Sequence, residues 1–263
     1  MQERHSDRKK YFDEQGVVTQ KYLIPYLSDI VSIDKNLRIL EIGCGEGGNL
    51  IPFVDMGCEV VGVDIGKKRI DNAIAFFSEH ENASNTKFIY SDIYDCDDEL
   101  GKFDLIFLRD VIEHIPNQAK FMAFVKRFLK EDAVIFFAFP PWMNPFGGHQ
   151  QVCKSKWMSK FIYSHLLPRF LYRGFLKLAK EPKERIEGLM EVRDTGISIE
   201  RFRRIQRRKK YKIAKHSYYL VNPSYQVKFG IKPRKVIFPF RNIPWLRNFY
   251  TTAYYIALKP GKD

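Results

Sequence analysis

A chain of 263 residues, 45% hydrophobic and 29% charged, is long enough to bury a core without disulfides or metals, and its composition excludes a disordered or collagen-like protein. The four cysteines, Cys44, Cys58, Cys96 and Cys153, show no C-x-x-C pairing and no histidine at ligand spacing, which excludes a recognisable disulfide framework or structural zinc motif. The net charge of +13 is unevenly divided: residues 1–150 carry 17 Lys and Arg against 24 Asp and Glu (−7), and residues 151–263 carry 27 against 7 (+20). Such a split predicts different partners for the two parts, with phosphate, an anionic membrane surface or nucleic acid meeting the second.

The opening MQERHSDRKK is charged and has no apolar run of the secretory kind. Residues 11–31 place Tyr22, Leu23, Tyr26, Leu27 and Ile30 at helical spacing, with Pro25 weakening or splitting the helix, so residues 1–36 read as an N-terminal helical segment. LRILEIG (37–43) reads as a short buried strand, 48–57 as a helix stopped by Gly57, EVVGVDIG (59–66) as a second strand and 67–80 as an amphipathic helix. Strands three, four and five fall at 86–92, 103–110 and 133–139, with a helix at 117–131 whose late basic residues suit the helix dipole. Apolar strands alternating with amphipathic helices predict an α/β fold with a doubly wound, mostly parallel sheet, its core at 37–140.

The alternation breaks after Pro140. The uncharged stretch 133–153 holds Pro140, Pro141, Pro145, Gly147 and Gly148, so it is a strand entering a loop and not a membrane span. Residues 141–196 have mixed helical character and read as a substrate cap inserted after strand five. Residues 197–263 complete the core with a helix at 198–210, strand six at 211–221 and strand seven at 248–259, the last two being antiparallel neighbours at one edge of a seven-stranded sheet.

The strongest local signal is EIGCGEGGN (41–49). Gly43, Gly45 and Gly48 form G-x-G-x-x-G after a strand and before a helix, and Asp64 closes the next strand, where a carboxylate can bind both hydroxyls of a ribose. A nicotinamide or flavin dinucleotide satisfies those facts. Glu41 favours a different ligand: a carboxylate two residues before the first glycine would repel a pyrophosphate. It suits the amino group and sulfonium of S-adenosylmethionine. Asp92, after strand three, can accept from an adenine amino group or serve as a cap or turn residue.

LEIGCGEGGNL, VVGVDIG, YSDIYD and FDLIFLRDVIEHI, in this order and spacing, resemble the class I S-adenosylmethionine-dependent methyltransferases, and DVIEHI resembles the small-molecule and ubiquinone-biosynthesis-like branch. The resemblance spans residues 37–140 by motif and 198–259 by topology, and it implies a Rossmann-like methyltransferase fold with S-adenosyl-L-methionine as cofactor. It further implies that Glu41, Gly43 and Gly45, with Cys44 between them, line the methionine part, Asp64 with Ile65 the ribose, and Asp92 with Ile93 the adenine. Arg109 and Asp110 would border the methionine end. No cap motif identifies the acceptor.

A hydroxyl or amine acceptor needs a base, and histidine titrates in the right range. His5 lies in a charged terminus, His80 ends a surface helix, and His165 and His216 have no distinctive partner in the sequence. His149, beside Gly147 and Gly148 after strand five, is the first candidate for base or acceptor-orienting group, because glycines imply close approach of a ligand or backbone. His114, beside Glu113 after strand four, is the second. Glu113, His114 and His149 could jointly gather a divalent ion, but they lack a metal motif's spacing and no metal is assigned.

RFRRIQRRKKYK (201–212) reads as a solvated helix face. WLRNFYTT, FIYSHLLPRFLYRGFLKLAK and KPRKVIFPF mix aromatics and cations beyond what solubility needs, as on an anionic lipid interface or an RNA surface. No N-P-P-Y-like tetrapeptide follows strand four, which lowers RNA-base methylation. The expected function is methyl transfer to a small-molecule or lipid-like acceptor, by a cytoplasmic protein in peripheral contact with an anionic membrane. RNA methylation and a non-catalytic cofactor-binding module are the alternatives.

Overall fold

The computed structural model describes residues 7–97 and 100–261; His5 lies outside them. Helix α1 (Arg8–Val18) starts at Asp7, whose side chain accepts from the Lys10 N–H (2.9 Å). It runs through a widened turn at Thr19–Leu23 into the short α2 (Ile24–Leu27). Pro25, with no N–H to donate, falls in the first turn of α2, and the widened turn before it absorbs the missing bond.

The α/β rhythm then follows: β1 (Arg38–Ile42), α3 (Ile51–Asp55), β2 (Glu59–Asp64), α4 (Lys67–Phe77), β3 (Thr86–Tyr90), β4 (Phe103–Arg109), α5 (Gln118–Phe124) and β5 (Leu129–Phe139). The cap contributes α6 (Lys156–Lys160), α7 (Arg169–Leu178) and α8 (Lys183–Thr195). The chain closes with α9 (Ile199–Arg208), β6 (Tyr211–Val221), α10 (Ser224–Phe229), β7 (Arg234–Lys235) and β8 (Ala253–Pro260).

The sheet order is β3-β2-β1-β4-β5-β8-β6-β7. The pairs from β3 to β5 are parallel, and β8 lies antiparallel between β5 and β6. The doubly wound, mostly parallel sheet is therefore present, with eight strands in place of seven. The added strand, β7, is two residues long and antiparallel to β6; it lies in a Pro- and Lys/Arg-bearing connection and is too short to show any alternation. Strand five also begins earlier than its apolar run. Lys130 reaches across to Asp104 (2.7 Å), and the β4–β5 register shifts between Phe103 and Leu105.

Period-two alternation gives each sheet face its own apolar layer. Leu40, Ile106, Phe137 and Phe139 fill one, and Ile39, Leu105, Phe107 and Phe136 fill the other. The cap has a separate cluster around Met158, Tyr172, Leu176 and Leu189. Its two ends meet where the Trp142 N–H donates to the Ile197 carbonyl (2.9 Å). The end of α8 is tied to the core, because Gln118 Nε2 donates to the Thr195 carbonyl (2.6 Å) and Thr195 Oγ1 donates to the Glu113 carbonyl (2.6 Å). Among the described residues no helix is long and apolar enough to cross a membrane.

Phe107 is fully buried and its ring packs against that of Phe53 at 5.8 Å. Phe107→Ala is expected to lower unfolding free energy by about 3–5 kcal/mol, read as a shifted denaturant midpoint; a loss under about 1 kcal/mol would show that this layer can collapse around the deletion.

Candidate active site

Parallel strands bring the C-terminal ends of β1, β2 and β4 to one edge, and the strand order reverses direction at β1. A cavity of about 940 Å³ opens there, within the range of small-molecule and cofactor sites. Gly43 and Gly45 both have positive φ (74° and 57°). A Cβ on Gly43 would lie 2.5 Å from Val111 Cγ2, whereas one on Gly45 would meet nothing within 4 Å. The first glycine lets β1 pass close to the loop after β4. The second keeps open space in the cavity free of side chain.

Glu41 ends β1 with 1% of its surface exposed. Its Oε1 accepts from Asn49 Nδ2 (2.5 Å), Asn49 Oδ1 accepts from Arg109 Nη1, and Oε2 has no partner. Burial raises its pKa to about 8, against the opposing pull of the Asn49 hydrogen bond and the Arg109 charge. Glu41 stands behind the cavity, outside its lining residues, and is linked to it through Asn49 and Arg109, which do line it.

Asp64 is also buried, with Oδ1 accepting from the Gly66 N–H (2.7 Å) and Oδ2 from the Gly45 N–H (2.9 Å). Each oxygen keeps a lone pair, and the bond to Gly45 joins the two loops. Asp92 caps the turn at Ile93–Asp95 by accepting from the Tyr94 N–H (3.0 Å), and it also borders the cavity, so both of its readings hold geometrically. Ile93 is buried beneath it and Ile65 is exposed at the rim. Cys44 lines the wall, and burial raises its thiol pKa well above the ordinary value, which leaves it an inert packing group. Arg109 and Asp110 stand on the opposite wall, Asp110 at φ 55°. Nine of the ten cofactor-site residues named from the sequence thus line one cavity, and the tenth, Glu41, is bonded to Asn49 in its wall.

The two histidine candidates also come together. Their rings lie 5.1 Å apart at 72°, and one ligand atom each from Glu113, His114 and His149 fall within 4.8 Å of one another. His114 lines the cavity; His149 stands behind it, outside the lining residues. The glycines beside His149 approach protein, not ligand: a Cβ on Gly147 would lie 2.1 Å from the Trp142 carbonyl, and one on Gly148 2.2 Å from His165 Cβ. His165 is itself a buried structural residue, its Nε2 donating to that carbonyl (2.8 Å). Burial lowers the pKa of His114, and burial followed by the His114 charge lowers that of His149 to about 4. Both imidazoles are neutral at pH 7. Glu113 is buried with neither carboxylate oxygen partnered, and burial and then Asp110 push its pKa well upward.

Several wall residues have no signal in the sequence. Helix α1 contributes Arg8, Tyr11 and Gln15, α8 contributes Glu191, and α10 contributes Ser224 and Lys228. Arg8 Nε donates to Glu46 Oε1 (2.6 Å), tying α1 to the glycine loop, and Tyr22 Oη donates to Gln226 Oε1, tying the widened turn after α1 to α10. Gly48, third in the glycine pattern, serves α1 packing, since a Cβ there would lie 2.4 Å from the Phe12 carbonyl.

A family model described as "Methyltransferase domain" matches residues 19–176. The chain belongs to the class I S-adenosylmethionine-dependent methyltransferase family. The ubiquinone biosynthesis O-methyltransferase of Rhizobium johnstonii is 33% identical over 174 residues, covering 63% of this chain and 64% of that protein. Uncharacterized protein RP789 of Rickettsia prowazekii is 34% identical over 120 residues, 42% of this chain and 21% of that protein. The chain thus matches about a fifth of one relative's length and under two thirds of the other's. The magnesium protoporphyrin IX methyltransferase of Synechocystis PCC 6803, solved with bound SAM, shares the fold at a TM-score of 0.53 and 15% identity, over 95% of this chain and 80% of that one.

Because the folded pKa of Glu41 is raised, folding loses stability as pH climbs from the ordinary carboxylate value of 4.5 towards 8. Glu41→Gln is expected to stabilise the ligand-free protein by about 2 kcal/mol near pH 8 and by much less near pH 5, measured by thermal unfolding at both. Equal effects at the two pH values would place the Glu41 charge in water.

Proposed function

We propose that this chain transfers a methyl group from S-adenosylmethionine to a hydroxyl or amine of a small-molecule or lipid-like acceptor. The cavity at the glycine turn carries the reading: Gly45 leaves it open where a Cβ would meet nothing within 4 Å, and Asn49 and Arg109, which line it, connect it to the buried Glu41, whose Oε2 lacks a donor. Asp64 and Asp92, at the ends of β2 and β3, both line the cavity, which supports their holding ribose and adenine. The bound cofactor would supply an activated methyl on a sulfonium, which leaves the protein to align the acceptor and manage its proton.

His114 fits the proton-accepting role better than His149, because it is the one on the cavity wall. Its neutral imidazole takes the acceptor's proton, and the charges of Asp110 and Glu191 favour the resulting imidazolium. His149, behind it and edge-on, holds the ring's orientation. Burial, and then the Asp110 charge, biases Glu113 towards its protonated form, which limits the negative charge beside them. The acceptor enters under the cap, whose Gly188, Glu191 and Val192 form the far wall.

S-adenosylhomocysteine is expected to bind, a nicotinamide dinucleotide to fail, and Glu41→Gln to weaken the former at least tenfold; unaltered binding in that variant would overturn the cofactor pose. With S-adenosylmethionine labelled on its methyl group and a fractionated cell extract, label should enter the organic or small-aqueous fraction, and label in RNA would overturn the acceptor class. On the purified acceptor, His114→Ala is expected to lower kcat by about 10²-fold or more with S-adenosylhomocysteine affinity unchanged, and His149→Ala by less. The His114-dependent rate should fall as pH drops below 6.5, since burial sets that imidazole below its ordinary value. A rate that a chelator abolishes and a divalent ion restores would make Glu113, His114 and His149 metal ligands instead.

A further inference from the structure

The connection from β7 to β8 turns apolar side chains outward at a density that isolated surface hydrophobics do not reach. Within residues 237–246, Ile237 and Phe238 are 70% and 69% exposed, and Phe240, Ile243, Trp245 and Leu246 are also exposed. The segment is not loose. The buried Val236 donates its N–H to the Tyr218 carbonyl (2.8 Å), the Arg241 N–H donates to the Ile237 carbonyl (3.1 Å), and Tyr250 Oη donates to the Phe240 carbonyl (2.6 Å). Trp245 is held at φ 65° while its N–H donates to Glu200 Oε1 (3.0 Å). A rarely adopted backbone conformation is thus maintained at a residue whose large ring stays half in solvent.

Cations surround this loop. A cleft of about 360 Å³ beside Trp245 is lined by Arg203, Arg204, Arg207 and Arg247, with Glu200 as the sole acid among its lining residues. Glu200 is engaged by Arg247 Nε (3.0 Å) and Asn248 Nδ2 (2.5 Å). Among the described residues, no ion pair is found for Arg204 or Arg207, both exposed on α9. This part of the chain belongs to the half with a balance of +20, from 27 basic against 7 acidic residues.

We infer that the 237–246 loop and the α9 arginines form a docking face for an anionic lipid bilayer. The apolar side chains enter the headgroup boundary, the Trp245 ring sits at its level, and the arginines meet lipid phosphates. Aliphatic residues decide against RNA: Ile237, Ile243 and Leu246 offer no ring on which a base can stack, while acyl chains accept them. The loop leads into β8, whose Ala253 pairs with Tyr219 near the C-terminal end of β6. β6 runs in the direction of β1, so the face lies at the end of the sheet where the cavity opens. The cap joins it through Tyr163 Oη, which donates to the Phe249 carbonyl (3.0 Å). The inference rests on this surface and not on the methyl-transfer reading.

Flotation of the full chain with phosphatidylcholine vesicles, with and without phosphatidylglycerol, tests it. Binding should require phosphatidylglycerol and weaken with salt. Arg204→Gln with Arg207→Gln should lower partitioning about 25-fold, at about fivefold per cation, and Ile237→Ser with Phe240→Ser should also lower it. S-adenosylhomocysteine titration in parallel reports the integrity of each variant, and none of these residues lines the cofactor cavity. Failure to float with anionic vesicles, or variants that float as the parent does, would overturn the inference. So would binding of a single-stranded RNA oligonucleotide by a protein that ignores both vesicle types.

Discussion

A buried carboxylate at the end of β1 organises much of this molecule. Glu41 could have been silenced by two donors. It has one, Asn49, and that amide is oriented by Arg109 from the neighbouring strand. Thr19 Oγ1 lies 3.4 Å from the same Asn49 oxygen, so the N-terminal helical segment, the glycine loop and β4 share one polar chain. Leaving the second oxygen unpaired costs stability. That cost is kept beside Asn49 and Arg109, both of which line the cavity.

The cap is mechanically part of the same site. The backbone and hydroxyl of Thr195, at the end of α8, are bonded to Gln118 and to the Glu113 carbonyl. The turn that carries Glu113 and His114 is therefore held from the cap side as well as from β4. Burial by this packing pushes the pKa of both imidazoles down and that of Glu113 up, so each is biased towards its uncharged form. The His149 loop is fixed in turn by Trp142 and His165, whose rings stack edge to face at 4.5 Å.

Charge is segregated along the chain and again in space. The acidic first part supplies the carboxylates around the cavity, and the basic second part supplies α9 and the loop before β8. Between them lies the width of the sheet from β1 to β6.

Residue type and spacing alone determined the fold class and named nine cofactor-site candidates that line one cavity. Strands announce themselves by short β-branched runs, and Glu41, Asp64, Asp92 and Arg109 occupy strand ends, which parallel pairing must bring to one edge. Three matters were decided only by tertiary structure. The two-residue β7 exists because β6 offers it an edge, and no local pattern encodes it. The wall formed by α1 and α10 depends on contacts between residues some 200 positions apart, such as Tyr22 with Gln226. The place of His149 behind the cavity turned on what the glycines near it approach. Sequence shows that backbone comes close to something there, but not that the something is Trp142 and His165, because a glycine records the need for space without naming the neighbour that takes it.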